Sequence, residues 1–424
     1  MTSALLTWIF VAALALNVAL KYWLAARQIR WVLRRADAVP DQFAAQVSLD
    51  AHRKAASYTV AKQRLAMTEI GTNAAVLLAL TLCGGLQALS NLLSGWLGTG
   101  TIFQLALAAS VAVILGLVDL PLEWYRQFRI EQRFGFNRMT LGLFLADLAR
   151  SVVLTAVIGL PLLALILALM RSQGSYWWVY AWAVWCAFTV LITVLFPVLI
   201  APLFNRFTPL ADSDLLQRIR ALLGRAGFRA SGIYTMDGSR RSSHGNAYFT
   251  GLGAAKRIVF FDTLLERLQP PEIEAVLAHE LGHFRLRHVS KRLVLGFALS
   301  GVMLAFLSWL MQHAWFYRGL GVEPLLQGRN DGLALVLFFL VLPVFTFLFA
   351  PLSSLLSQRH EFEADEFAAR YSSPKALVDA LVKLYKDNAT TLTPDPLHST
   401  FYNSHPPAAA RIERLLRLAP PAAT

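Results

Sequence analysis

The chain has 424 residues, of which 56% are hydrophobic and 15% charged, against about 25% charged residues in an ordinary soluble domain. This composition excludes a simple water-soluble globule and points to a bilayer, and the formal net charge of +13 leaves two readings, nucleic-acid binding or basic loops beside anionic lipid. Cys83 and Cys186 both fall inside apolar runs, so neither a disulfide framework nor a cysteine metal site is indicated.

Runs of about 20 apolar residues are long enough to cross the hydrocarbon core as helices. Such runs lie near 4–25, 70–97, 102–122, 151–170, 176–203, 293–316 and 332–356. The first has no Lys or Arg before it and Lys21, Arg27, Arg30, Arg34 and Arg35 in or after it, so it reads as an uncleaved signal anchor. The loops after spans one, three and five are rich in Arg and Lys, whereas those after spans two, four and six hold only Arg171, Arg318 and Arg329. By the positive-inside rule the basic loops and the C-terminus are cytoplasmic and Met1 is external. The charge is thus a topology signal, and nucleic acid is not an expected partner.

Two polar stretches remain, roughly 205–292 and 357–424, and both are expected on the same side of the membrane. "SDLLQRIRALLGRAGF" (213–228) predicts an amphipathic helix capped by Ser213 and stopped near Gly227. "SGIYTMD" and "AKRIVFFD" predict strands, and "HGNAYFTGLG" between them predicts a short strand and a glycine turn. Pro270 and Pro271, followed by Glu272 and Glu274, open a helix in the expected way, with proline in the first turn and acids at the positive dipole end.

That helix carries "LAHELGHF" (277–284). His279 and His283 are four residues apart and share a face, with Cβ atoms about 5–6 Å apart, so two imidazoles can hold one zinc ion. Glu280 stands beside the first and is the candidate general base for an attacking water. A chance H-E-x-x-H in a chain of this length has odds on the order of one percent. His288, five residues beyond His283, would lie about 140° round the same helix and reads as a polar residue at the membrane end. Hydrolytic zinc usually takes a third protein ligand, and "SQRHEFEADEFAARY" (357–371) offers it. Glu361 and Asp365 share a helical face, so Glu361 can ligate while Asp365 orients a ligand histidine from behind. Glu363 and Glu366 are rivals on other faces.

The sequence resembles the integral-membrane zinc metalloproteases of the CAAX prenyl protease family, of the a-factor-converting type. "YRQFRIEQRFGFNRMT" (125–140), "LFNRFTPL" (203–210), "SSHGNAYFTG" (242–251), "KRIVFFDTLL" (256–265), "LAHELGHF", "RHEFEADEFA" (359–368) and "NSHPPAAARI" (403–412) stand in the family's order. The resemblance implies a ring of seven transmembrane helices enclosing a large chamber, with a zincin-like catalytic domain containing a small β-sheet on the cytoplasmic side. It implies Glu361 as third ligand, Asp365 behind the ligands, and His405 and Arg411 as further catalytic groups. Ala410 stands before Arg411 where the family pattern expects glutamate. The strand at Asn246, Ala247 and Tyr248 is then expected to pair with an extended substrate backbone. Asp119, Asp147 and Arg150, near span ends, are candidates to line the chamber.

The expected organisation is membrane spans one to five with their loops (1–204), a first catalytic segment (205–292), spans six and seven (293–356), and a second catalytic segment (357–424). The expected activity is zinc-dependent endoproteolysis of prenylated CAAX-type or other membrane-associated peptides near their C-terminus. Membrane-protein quality control is a second reading, and a non-catalytic scaffold with structural zinc a third. The Ala-, Leu- and Arg-rich composition suggests a bacterial inner membrane.

Overall fold

A computed structural model gives the fold for residues 1–211, 213–228, 230–250, 256–325 and 329–418. The glycine turn expected after Thr250 lies outside the described residues. Long apolar helices run over Ser3–Leu33, Thr101–Phe134, Leu141–Ser172, Gly174–Phe204, His288–Leu310 and Asp331–Tyr371, and a bent pair, Leu49–Leu80 with Gly85–Leu97, makes the seventh candidate span. Three of them start on a side-chain cap. The hydroxyls of Thr2, Ser48 and Thr140 accept the amide protons of Leu5, Ala51 and Leu143, satisfying donors that a helix start leaves open.

The second span is not the single helix that residues 70–97 suggested. Its helix begins at Leu49, continues through the polar residues before 70, and breaks at Thr81–Gly84 with a bend of 51°. Gly84, at φ +81, takes a left-handed conformation that costs glycine nothing. The apolar surface left outside is large. Trp8, Val157, Val294 and Leu352 are among the most exposed side chains, as expected of residues that face lipid rather than water.

The polar stretches fold into one unit. Strands β1 (Phe207–Pro209), β2 (Gly232–Met236), β3 (Ala247–Thr250) and β4 (Arg257–Phe261) form a sheet in the order β1-β2-β4-β3, with β2 and β4 parallel and the other pairs antiparallel. β1, within "LFNRFTPL", has no alternating pattern to announce it and was not anticipated. The helix Asp214–Arg225 with its Ser213 cap forms as expected. Ile219, Leu222, Phe260, Leu277, Leu381 and Ile412 build the core, and Phe43 and Val47 from the first basic loop insert into it. This polar unit is therefore tied to the membrane unit by side chains as well as by chain connections.

Two helices bring the functional residues together. The motif helix, Pro270–Arg285, starts with reciprocal bonds between Gln269 and Glu272. The acidic helix, Ala350–Tyr371, continues the last span beyond a single 3₁₀ turn. They touch at Gly282, where an added Cβ would lie 3.0 Å from Ala364 Cα and 3.1 Å from Phe367 Cβ. Neither contact can rotate away. Gly282→Ala is expected to push the helices apart at a cost of about 1–3 kcal/mol, read as a lower Tm together with weaker metal retention, whereas Gly296→Ala, with open space around it, should be near neutral.

Candidate metal centre and active site

His279 and His283 point their Nε2 atoms at one another across 3.2 Å. Glu361, from the acidic helix, completes the cluster with Oε2 at 3.4 Å from His279 Nε2 and Oε1 at 3.2 Å from His283 Nε2. Two imidazoles and a carboxylate, with His279 and Glu361 buried and His283 half-buried, are a donor set for a divalent cation. The fit is supported by an orphaned atom, since Glu361 Oε2 is buried without a hydrogen-bond partner, and a buried carboxylate oxygen in that state is costly unless a cation satisfies it.

The electrostatics favour positive charge at this point. Burial lowers the pKa of His279, but its bonds to the Asp365 and Glu361 carboxylates outweigh burial and push it up to about 9. Asp365 Oδ1 sits 2.8 Å from His279 Nδ1, so the ring keeps its Nδ1 proton there, and a metal ion would displace the other proton from Nε2, the arrangement metal ligation needs. Arg411, buried on the tail helix Ala408–Leu418, donates to both Asp365 oxygens at 2.7 and 2.9 Å, and its Nη1 lies 3.6 Å from Glu361 Oε2. The missing glutamate before Arg411 does not displace it.

Glu280 is half-buried beside His279. Desolvation raises its carboxyl above the usual range, opposed by the neighbouring histidines, and a raised carboxyl suits proton transfer near neutral pH. His405, in the loop before the tail helix, places Nε2 at 3.5 Å from Glu361 Oε2 and is oriented through Nδ1 by the Ser404 hydroxyl at 2.9 Å. Burial lowers its pKa. The rivals for third ligand are engaged elsewhere, Glu363 with His288 and Arg359, and Glu366 with Arg414.

β3 forms the edge of the sheet next to the motif helix, with Phe249 packed on Phe284 at 5.3 Å between ring centroids. The bond from Phe261 N–H to Asn246 C=O fixes the phase of the β3–β4 ladder. The backbone of Asn246 and Tyr248 faces β4, and that of Ala247 and Phe249 faces outward. The Ala247 amide is already bonded to the Asn246 side chain at 2.8 Å. Phe249, outside the expected set, therefore presents its N–H and C=O at the outward edge, where Ala247 contributes its C=O.

His288 does not lie at the membrane end as a solitary polar residue. It is fully buried, with Nδ1 at 3.0 Å from His283 Nδ1. The expectation failed because the helix does not continue. Arg287 takes φ 58 and ψ 32, and a new helix starts at His288. Among the chamber candidates, Asp119 lines a cavity of about 690 Å³ between the membrane helices, together with Asn17, Lys21, Glu69 and Asn73. Asp147 and Arg150 do not; Asp147 pairs with Arg241 at 2.8 Å and with Arg150 at 2.8 Å. A second cavity of about 540 Å³ shares Gln63, His398, Tyr402 and Asn403 with the first and reaches His405 and Arg411. A largely apolar cavity carrying a few polar and charged groups thus adjoins the space that reaches His405 and Arg411.

Long apolar helices around a cavity, joined to a polar unit that holds a histidine–carboxylate cluster, are the architecture of a polytopic metalloendopeptidase. The chain belongs to peptidase family M48: residues 209–419 match the model of that family and residues 28–206 match the CAAX prenyl protease N-terminal region of five membrane helices. It is 36% identical over 315 residues to CAAX prenyl protease 1 homolog of Arabidopsis thaliana, covering 73% of each chain, and 31% identical over 381 residues to the Homo sapiens homolog, covering 78% of each. Its fold is similar to the crystal structure of S. mikatae Ste24p, with a TM-score of 0.89, 29% identity, and 97% of this chain and 99% of that one covered.

Asp365 and Arg411 form a buried pair whose energetics can be read apart from turnover. Arg411→Ala leaves the Asp365 carboxylate buried with only His279 to bond, and breaking such a pair costs about 3–5 kcal/mol. A large fall in Tm is expected even in chelator-treated protein, where catalysis cannot contribute.

Proposed function

We propose that the chain is a zinc endopeptidase in which His279, His283 and Glu361 hold the ion, Asp365 orients His279, and Glu280 is the general base. The spacing of the donor atoms carries this reading. Separations of 3.2, 3.2 and 3.4 Å are close to the edge, about 3.3 Å, of a tetrahedron with zinc–ligand bonds of about 2.0–2.1 Å, and three ligands leave the remaining position for reactants. Zinc held there supplies Lewis acidity that makes water nucleophilic at neutral pH and polarises a peptide carbonyl. Glu280 accepts the proton of the attacking water and returns it to the departing amine. A purely structural site would have no use for that carboxyl. His405 is the donor assigned to the negative charge that develops on the carbonyl oxygen, and Arg411, bound to Asp365, adds a fixed positive charge behind the carboxylates.

The substrate is proposed to be an extended C-terminal peptide segment that adds to β3 over Asn246, Ala247 and Tyr248, with main-chain bonds at Ala247 and Phe249. The relatives' names support CAAX-type sequences, and the chamber beside the site is suited to an attached isoprenoid or another apolar group. Membrane-protein quality control would use the same chemistry on other membrane-associated peptides. The basic loops support a cytoplasmic site and C-terminus with the N-terminus external, and the composition supports a bacterial inner membrane. The catalytic unit is split across 205–292 and 357–424 by the spans at 293–356.

Glu280→Gln tests the chemistry, since the amide keeps the shape of the side chain but cannot take the proton. Zinc content should stay at one per chain while cleavage of a CAAX peptide falls about 10²–10⁴-fold. His279→Ala, His283→Ala and Glu361→Ala should lose zinc as well as activity. Turnover by Glu280→Gln close to the unmodified rate would refute the assignment.

A further inference from the structure

His283 turns Nε2 toward His279 and Glu361, which leaves its Nδ1 to bond elsewhere. Nδ1 meets His288 Nδ1 at 3.0 Å. His288 Nε2 in turn lies 3.0 Å from Glu363 Oε2, and the other oxygen of Glu363 accepts from Arg359 at 3.0 Å. Two ring nitrogens facing one another at that distance need one proton between them. If His283 offers its Nε2 lone pair to a metal, its neutral ring carries the proton on Nδ1 and donates it to His288. His288, accepting at Nδ1, carries its own proton on Nε2 and donates it to Glu363. Every proton position in the chain then follows from the first.

We propose that His288 and Glu363 are positioning residues that fix the tautomer and ring orientation of His283, as Asp365 does directly for His279. The proposal rests on the ligand set of the preceding section. It accounts for the left-handed backbone of Arg287, which swings His288 back against the motif helix, and for the complete burial of an imidazole next to the membrane. Metal-ligating histidines commonly hand their second nitrogen to a carboxylate. Here one ligand reaches its carboxylate in one step and the other in two.

His288 and Glu363 could instead be read, together with His360, as a second cation site, because the three have donor atoms within 4.8 Å of one another and His360 Nδ1 is buried without a partner. The ring geometry disfavours it. His288 and His360 stack with centroids 4.0 Å apart and planes inclined by 10°, and imidazole lone pairs lie in the ring plane, so nearly parallel rings stacked this way do not converge on one ion. A cation on His288 Nε2 would also force its proton onto Nδ1, against the His283 Nδ1–H.

The test is zinc affinity of the purified full-length protein by chelator competition. Glu363→Ala removes the acceptor from a partly exposed position and should weaken binding about 10–100-fold, whereas Glu363→Gln, whose amide oxygen still accepts from His288, should stay within about threefold of the parent. His288→Phe should match Glu363→Ala. In ¹⁵N-histidine spectra of the parent protein, the ring of His283 should be protonated at Nδ1. Unchanged affinity in Glu363→Ala, equal weakening by Gln and Ala, or two zinc ions per chain with one lost in Glu363→Ala would overturn the proposal. Failure of the ligand set itself is separate and would appear as full-affinity zinc in His279→Ala.

Discussion

The contact between the motif helix and the acidic helix is the constraint on which the rest depends. His279 and His283 come from one, Glu361 and Asp365 from the other, and the chain between them crosses the membrane region twice, through His288–Leu310 and Asp331–Thr346. Only the absence of a side chain at Gly282 lets Ala364 approach closely enough for a carboxylate to meet two imidazoles. The donor set is therefore a product of tertiary packing, and it forms only after both membrane helices are in place. Ion binding would draw on the same packing, coupling metal affinity to the stability of the junction.

Burying so many charged groups is unfavourable unless each is compensated. The site solves this by sharing. Asp365 accepts from His279 and from Arg411, and Arg411 lies within reach of Glu361. The positive groups are thus held behind and beside the carboxylates, while the unpartnered Glu361 Oε2 faces the cluster. The membrane unit follows a related rule, with Lys21, Glu69 and Asp119 lining an internal cavity rather than the lipid face. Polar surface inside an apolar shell is what allows water-dependent chemistry beside a bilayer.

How much of this was legible in the sequence varied with the range of the interactions. Periodicity and local chemistry disclosed the spans, the Ser213-capped helix, the HELGH helix and its proline start, because each depends on neighbours within a turn or two. The pairing of Glu361 with Asp365 was readable as one helical face, but the choice of Glu361 over Glu363 was carried by family resemblance, since nothing local says which acid meets His283. His288 was misplaced because a helical wheel assumes an unbroken helix, and no glycine or proline marks the turn at Arg287. The bend in the second span was marked by Gly84 and Gly85 but lay hidden inside an apolar run long enough to cross as one helix, and β1 was missed because a three-residue strand is defined by its partner. Phe249 needed the ladder phase, which only the pairing with β4 supplies.

The most direct test of the account is to incubate the purified protein with a prenylated CAAX peptide and its unprenylated counterpart, with chelator and after zinc is restored, and to identify products by mass. A single cut near the C-terminus that chelator abolishes and zinc restores is the predicted result. Cleavage that persists in chelator, or zinc-loaded protein that cuts neither peptide, would contradict it.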